Sequence, residues 1–268
     1  MRLLPRTTLL LGLSTGLLAL QIGGFQRFQS PPRGSYVNPG DAKHEFAWSR
    51  LRYASLGGSF GGFGFGRGGA WSRDYPKADI VFLEALRRLT RIDARSYQQV
   101  VDLDNDDIFN FPFVYAVQVQ TWTFTEVQAK RLREYLLKGG FLMVDDFHGT
   151  ADWESFLRGM RMVLPADHFP ITDLSDNDEI FHVLYDIGQR FQVPGEQYVM
   201  TGRTYEKDGY VPKWRAIRDD KGRIMVTICH NMHLGDAWEW ADDAQYPEPF
   251  ASMAFRVGID YVMYSMTH

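Results

Sequence analysis

The sequence predicts an α/β domain built as a three-layer sandwich around a mostly parallel sheet. Three observations predict it. Short apolar, strand-like runs alternate with stretches of helical periodicity from about residue 44 to the end, the pattern of successive βα units. Residues 141–144 (FLMV) are apolar without interruption, as in a strand buried on both faces. A capping box at Thr125-Glu126-Val127-Gln128 and a Lys138-Gly139-Gly140 stop frame a helix directly before that strand.

The elements follow in order. Residues 45–53 alternate in a strand-like way through Phe46 and Trp48. Residues 78–90 place Ile80, Leu83, Leu86 and Leu89 at helical spacing. Residues 97–103 and 113–119 read as strands, and the capped helix carries Val127, Leu132, Tyr135 and Leu136. After the apolar strand, residues 151–162 read as a helix. Residues 212–218 and 223–229 flank the turn Asp219-Asp220-Lys221-Gly222 and read as a hairpin. Residues 249–264 form a last helix with Phe250, Met253, Ala254, Val257, Tyr261 and Val262 inward.

The amino-terminal part reads differently. Arg2 and Arg6 precede an apolar run from Leu9 to Leu20, a secretory pattern shorter than the ~20 residues a spanning helix needs. Residues 1–24 are therefore expected to be a signal peptide or short anchor, 25–43 a Pro/Gly/Ser-rich linker, and 44–268 one domain. The protein is expected to be exported, either periplasmic or anchored facing the periplasm. It would touch a membrane only through that segment. The chain has 268 residues with 29 Lys+Arg against 33 Asp+Glu, a net charge of −4. An acidic chain without a basic face is a poor nucleic-acid binder. Its one cysteine, Cys229, excludes an internal disulfide.

Several motifs fall short of a known chemistry. Gly57-Gly58-Ser59-Phe60-Gly61 fits G-x-S-x-G, and 64–69 fits G-x-G-x-x-G, but no helix-forming stretch follows either. The Gly/Phe run 57–69 reads as a loop, with a lid as one role for it. Residues 102–107 (DLDNDD) begin like a calcium loop but lack its Gly and its Glu.

Two segments carry candidate chemistry. Asp145-Asp146-Phe147-His148 follows the apolar strand, where ligands bind outside the carboxyl ends of an open α/β sheet. Both aspartates reach one cavity only if the chain has already turned; otherwise one caps the next helix near Thr150. The second segment, His230-Asn231-Met232-His233-Leu234-Gly235-Asp236-Ala237-Trp238-Glu239, reads as a loop after another strand. Asp145, Asp146, His148 and His230 are the catalytic candidates. His230, His233 and Asp236 are weak metal candidates, since H-x-x-H matches no strong zinc signature. Asp74, Asp236, Trp238 and Glu239 are candidate ligand contacts. Cys229 and His230 are adjacent on a strand and face opposite ways, which argues against a dyad.

A family resemblance rests on several tracts in order: residues 46–53, Trp71-Ser72-Arg73-Asp74-Tyr75-Pro76-Lys77-Ala78-Asp79, Phe111-Pro112-Phe113, residues 132–142 (LREYLLKGGFL), Asp145-Asp146, Gly222-Arg223, and Gly235-Asp236-Ala237-Trp238-Glu239. Together they resemble the bacterial domain-of-unknown-function family 4159 across roughly residues 44–266. The tract 135–141 and Gly222-Arg223 are also similar to trehalose-utilisation-like proteins. The resemblance implies a class I glutamine amidotransferase-like, flavodoxin-like fold. Enzymes of that superfamily use a cysteine nucleophile on the turn that here carries Asp145-Asp146. The resemblance therefore implies the fold without thiol catalysis.

The leading expectation is a non-catalytic protein of the cell envelope that binds a polar small molecule, a carbohydrate or an envelope protein. The alternative is a metal-assisted or acid–base hydrolase of a glycan or amide. No cofactor is expected; a divalent metal is the one candidate.

Overall fold

The computed structural model describes residues 44–55 and 69–268. The signal or anchor segment, the linker and the Gly/Phe run up to residue 68, with both of its motif matches apart from Gly69, lie outside the described residues.

Along the chain come β1 (Ser49–Arg52), β2 (Ala54–Ser55), α1 (Lys77–Leu89), β3 (Gln99–Asp102), β4 (Phe113–Val117), β5 (Trp122–Thr123) and α2 (Glu126–Leu137). Then come β6 (Phe141–Asp145), α3 (Gly149–Val163), β7 (Ile171–Asp173), α4 (Gln197–Thr201), β8 (Lys213–Arg218), β9 (Ile224–His230), α5 (Leu234–Glu239) and α6 (Glu248–Thr267). The main sheet has the order β3-β1-β4-β6-β9-β8-β7. Its first five strands are parallel, and β8 and β7 add an antiparallel edge. Counted by sequence, the five parallel strands run 2-1-3-4-5, the flavodoxin-like doubly wound order. β2 and β5 form a separate antiparallel ribbon.

Strand alternation makes the three layers. Phe113 and Tyr115 of β4, with Phe141 and Met143 of β6, point to the face covered by α1, α5 and α6, where they meet Phe82, Trp238, Val257 and Tyr261. Val114, Ala116, Leu142 and Val144 point to the other face and meet Leu132 and Leu136 of α2 and Phe156 and Met160 of α3. The uninterrupted apolar run of β6 follows from this, because every one of its residues is buried.

The helix before β6 forms as its ends dictate. Thr125 Oγ1 accepts from Gln128 N (3.2 Å) and Gln128 Oε1 accepts from Thr125 N (3.0 Å), the reciprocal capping box. Gly139, at φ 110°, takes the left-handed turn that ends the helix. The β8–β9 turn is fastened to that end. Arg223 donates to the carbonyls of Leu136 (2.7 Å), Gly140 (3.2 Å) and Gly139 (3.3 Å). This gives the Gly222-Arg223 pair a structural job, a cation satisfying the orphan carbonyls of a helix terminus. Arg223→Ala is expected to lower stability by about 1.5–3 kcal/mol, the usual value of hydrogen bonds to a charged group. A urea titration checks it; a loss below about 0.5 kcal/mol would count against the strut.

Two expectations need correcting. Residues 234–239 form the short helix α5, not a loop, and β7 extends the hairpin to a third antiparallel strand. The acidic run 102–107 is tied down by its neighbours: Asp102 pairs with Arg52, Asp104 accepts from Gln128 Nε2, and Asp106 pairs with Arg131. No helix among the described residues is long and apolar enough to cross a membrane.

Candidate functional site

The carboxyl ends of β4, β6 and β9 lie side by side, and the chain leaves each of them through a strained residue. Gln118 (φ 53°), Asp146 (φ 57°) and Asn231 (φ 66°) immediately follow the three strands, all in the left-handed region. Asp74 (φ 61°), in the segment between β1 and α1, is a fourth. Only one other non-glycine residue among those described, Lys207, has positive φ. Such conformations cost of order 1–3 kcal/mol each and collect where a fold must aim particular side chains.

What they aim is a buried cluster of carboxylates and imidazoles. The left-handed turn at Asp146 reverses the strand alternation, so both aspartates serve the same side. Asp145 accepts from Tyr115 Oη and Gly235 N, both at 3.0 Å and both through Oδ2. Its Oδ1 has no partner. Asp146 Oδ2 lies 3.0 Å from His233 Nε2 and accepts from Gln118 Nε2. Asp146 Oδ1 lies 3.5 Å from His148 Nε2. His148 is 3% exposed, and neither of its ring nitrogens makes a hydrogen bond.

His233 stands at the amino end of α5 and is the hub. Its Nε2 lies between Asp146 Oδ2 and Asp74 Oδ2 (3.2 Å), and its Nδ1 is 3.0 Å from Asp236 Oδ2. That last contact is an ion pair whose angle falls short of a hydrogen bond. Asp236 Oδ2 also accepts from Glu196 N at 2.7 Å. Close approach here requires glycine. A Cβ on Gly235 would stand 2.8 Å from Tyr115 Oη and 2.9 Å from Asp74 Oδ2. Gly235→Ala is expected to push Asp74 out of the cluster and cost about 1–3 kcal/mol. A calorimetric melt reads it, and an unchanged melting temperature would show that the site yields freely.

Asp74 is held from behind. Arg50, fully buried in β1, binds Asp79 of α1 through Nε (2.9 and 3.2 Å) and Nη2 (2.5 Å). Its Nη1 donates to the carbonyls of Arg73 (2.8 Å) and Trp71 (3.2 Å). The Asp74 carbonyl in turn accepts from Ala78 N of α1 at 2.9 Å.

The charges respond strongly. Burial, with Asp236 and Asp146 adding to it, pushes the Asp74 carboxyl up to about 8, against the pull of His233. Burial also raises Asp145 to about 6. Burial would raise Asp146 too, but His233 and His148 outweigh it and hold Asp146 below the usual carboxylate range. Burial would lower His233, but Asp146, Asp236 and Asp74 hold it well above its ordinary value. Arg73 Nε lies 3.5 Å from Asp74 Oδ1, so the negative charge of the cluster is met by that guanidinium, by the His233 imidazolium and by protons on the raised carboxyls.

Asp74, Asp145, Asp146, His148, His233 and Asp236 therefore meet in one site. Three other candidates do not. His230 turns away because Asn231 reverses the chain between it and His233. It stacks on Phe147 (4.8 Å) and Trp153 (5.0 Å). Trp238 does not line the crevice: as part of α5 it is fully buried against Phe82 (4.5 Å), Tyr115 (5.3 Å) and Trp48 (5.7 Å). Glu239 is half-buried at the far end of α5, its carboxyl raised to about 7 by burial and by Asp236. Neither Asp145 nor Asp146 caps α3. Asp208 binds Thr150 N, Asn231 binds Gly149 N, and Asp152 binds His148 N. Cys229 is buried and faces away from His230.

Residues 50–266 match the family model described as domain of unknown function (DUF4159). The chain belongs to that family. The matched span runs from the buried Arg50 through every residue of the cluster into α6, so the site is part of the DUF4159 domain itself. No curated protein matches the chain. Sequence reading missed Arg50 and Gln118. A lone arginine inside the apolar run 46–53 was the available signal for the first; nothing local marked the second.

Proposed function

We propose that this DUF4159 chain is a divalent-metal-binding protein, with Asp146, His148 and His233 as ligands. The metal would hold a polar ligand at its remaining position. One observation carries the reading: His148 is buried with neither ring nitrogen in a hydrogen bond, and its Nε2 faces two carboxylates, Asp146 (3.5 Å) and Glu206 (3.7 Å), beside a second histidine. Burying such a group without a hydrogen bond is costly. Metal–donor bonds of about 2.0–2.1 Å in a tetrahedron put donor atoms about 3.3 Å apart. His233 Nε2 lies 3.0 Å from Asp146 Oδ2 and His148 Nε2 3.5 Å from Asp146 Oδ1, and one donor atom from each of the three residues lies within 4.8 Å of the others, close enough to converge on one ion. Two imidazoles and a carboxylate suit zinc and its first-row neighbours. Asp236 supports the set from outside, because a ligating histidine usually gives its other N–H to a carboxylate.

Three protein ligands leave a fourth position for water or for an oxygen of the bound molecule, and a carbohydrate or other hydroxyl-rich ligand fits that chemistry. An exported location agrees with the basic and apolar order of residues 1–20.

A second reading, hydrolysis, is favoured by Asp74. It stands 3.2 Å from His233 Nε2, where the charge of a bound metal would draw its raised carboxyl back toward the ionised form and let it serve as a general base toward water. At the acyl or glycosyl carbon the bond to the leaving oxygen or nitrogen would break as the bond to the water oxygen replaces it, and the proton taken up by Asp74 would go to the leaving atom.

The test is elemental analysis of the purified chain, with cobalt(II) spectra as a second readout. One equivalent of metal, lost in Asp146→Ala and His233→Ala, is the expected result. No metal uptake at equimolar zinc would overturn the proposal. Turnover of ester, amide or glycoside chromogens that needs the metal would carry the hydrolase reading; metal binding without turnover would leave a binding protein.

A further inference from the structure

Lys207, the left-handed residue outside the four that frame the cluster, directly follows Glu206. Glu206 Oε1 lies 3.7 Å from His148 Nε2, the nitrogen that also faces Asp146. We infer that Glu206 is a displaceable fourth ligand of the metal, a carboxylate arm that closes the open position until an oxygen of the bound molecule replaces it. The inference rests on the metal reading above and concerns how that site is regulated.

The turn that carries Glu206 is fastened beside His148. The Glu206 carbonyl accepts from Gly209 N at 2.9 Å, which closes a turn over residues 206–209. Lys207 Nζ reaches Asp152 Oδ2 at 2.5 Å, and that same oxygen accepts from His148 N at 2.9 Å. Asp208 accepts from Thr150 N (2.9 Å) and Oγ1 (2.6 Å) at the start of α3. Gln192 Nε2 donates to the Gly209 carbonyl at 2.8 Å. Lys207, Asp208 and Gly209 are thus committed to holding the turn. Glu206 is not: among the described residues its carboxylate makes no hydrogen bond, and His148 is its one ionic contact.

Exposure sets this carboxylate apart. Of the carboxylates paired with His148 and His233, Asp74, Asp146 and Asp236 have side chains 3, 2 and 5% exposed, against 35% for Glu206. A metal site needs an entry path, and Glu206 is the member of the group that meets both solvent and a ligand nitrogen. A glutamate paired with a surface histidine would be worth little. His148 is buried instead, and neither Asp146 nor Glu206 gives its Nε2 a hydrogen bond. An ion between them replaces two loose contacts with bonds. Neighbouring donors around a tetrahedral ion stand about 3.3 Å apart, so the 3.7 Å separation closes by rotation of the glutamate stem. Asp146 has a shorter stem and is held by Gln118 Nε2. Ligand exchange therefore falls to Glu206.

The test compares the full chain with Glu206→Gln, which keeps the size of the side chain. Chelator competition reads zinc affinity, and imidazole titration of the cobalt(II) form reads the open position. Imidazole is uncharged, so it reports access to the metal rather than the altered charge. An arm bound about nine-tenths of the time strengthens zinc binding about tenfold and masks the open position by the same factor. Glu206→Gln should therefore bind zinc about tenfold more weakly and imidazole about tenfold more tightly, with shifted cobalt(II) bands. Its metal-free form should melt with the wild type. Glu154→Gln, an exposed change on α3, should leave both affinities as they are. Unchanged zinc affinity in Glu206→Gln, or imidazole bound no more tightly, would overturn the arm and leave the metal site standing. A wild-type chain that takes up no metal would overturn both readings, so the wild type tells the two failures apart.

Discussion

Arg50→Ala is expected to cost about 3–5 kcal/mol of folding stability, the largest effect of any single change discussed. Arg50 and Asp79 are both fully buried and face each other at hydrogen-bond distance. Removing the guanidinium leaves a carboxylate in the core with no cation, and that uncompensated charge sets the cost. Typical domains have only about 5–15 kcal/mol in total. The variant should therefore unfold at much lower urea, and Asp79→Ala should behave alike. The double variant Arg50→Met, Asp79→Leu separates the two roles of the pair. It removes both charges together, and such swaps are often neutral for stability. It does not restore the bonds to the carbonyls of Trp71 and Arg73 that place Asp74. Stability should return while the segment 71–74 stays loosened, read as faster amide exchange there. A single variant losing less than about 1 kcal/mol would show that the pair is not the strut described.

The same geometry explains what could be read in advance and what could not. The layers were legible because they depend on local pattern: uninterrupted apolar residues in β6, helical spacing in α1, and the box at Thr125. Asp145 and Asp146 were legible as a site because they follow a buried strand at its carboxyl end. Whether they cooperate rested on one dihedral, the left-handed turn at Asp146, and aspartate tolerates that conformation without announcing it. His230 and His233 differ for the same kind of reason. On sequence they are equivalent members of H-x-x-H. The reversal at Asn231 sends one against Phe147 and Trp153 and the other to the cluster. Trp238 was misplaced because a six-residue helix with an early glycine leaves little periodicity to detect. Once α5 forms, Leu234 and Trp238 stand one turn apart on its core side. Arg50 and Gln118 act through contacts to residues 20–30 positions away, and no window along the chain contains both partners.

Asp236→Asn is expected to weaken zinc binding by about 10–100-fold while leaving the fold nearly intact. The reason lies in the ring of His233. With a metal bound, the carboxylate 3.0 Å from Nδ1 would favour the proton there and leave the Nε2 lone pair for the ion, whereas without one the surrounding carboxylates hold His233 protonated. Asparagine keeps the shape and an acceptor oxygen but removes the charge that fixes this tautomer. Its oxygen must still serve Glu196 N, which Asp236 binds now. His148→Ala removes a ligand outright and should cost more than Asp236→Asn. The comparison decides between two donor sets that share His233, because Asp74, His233 and Asp236 also lie close enough to chelate. If that second set holds the metal, Asp236→Asn will be as damaging as His233→Ala, and His148→Ala will have little effect. Chelator competition gives the affinities, and the cobalt(II) absorption bands report the donor set. The order His148→Ala worse than Asp236→Asn assigns the metal to Asp146, His148 and His233, with Asp236 as their support; the reverse order moves it to the Asp74 side.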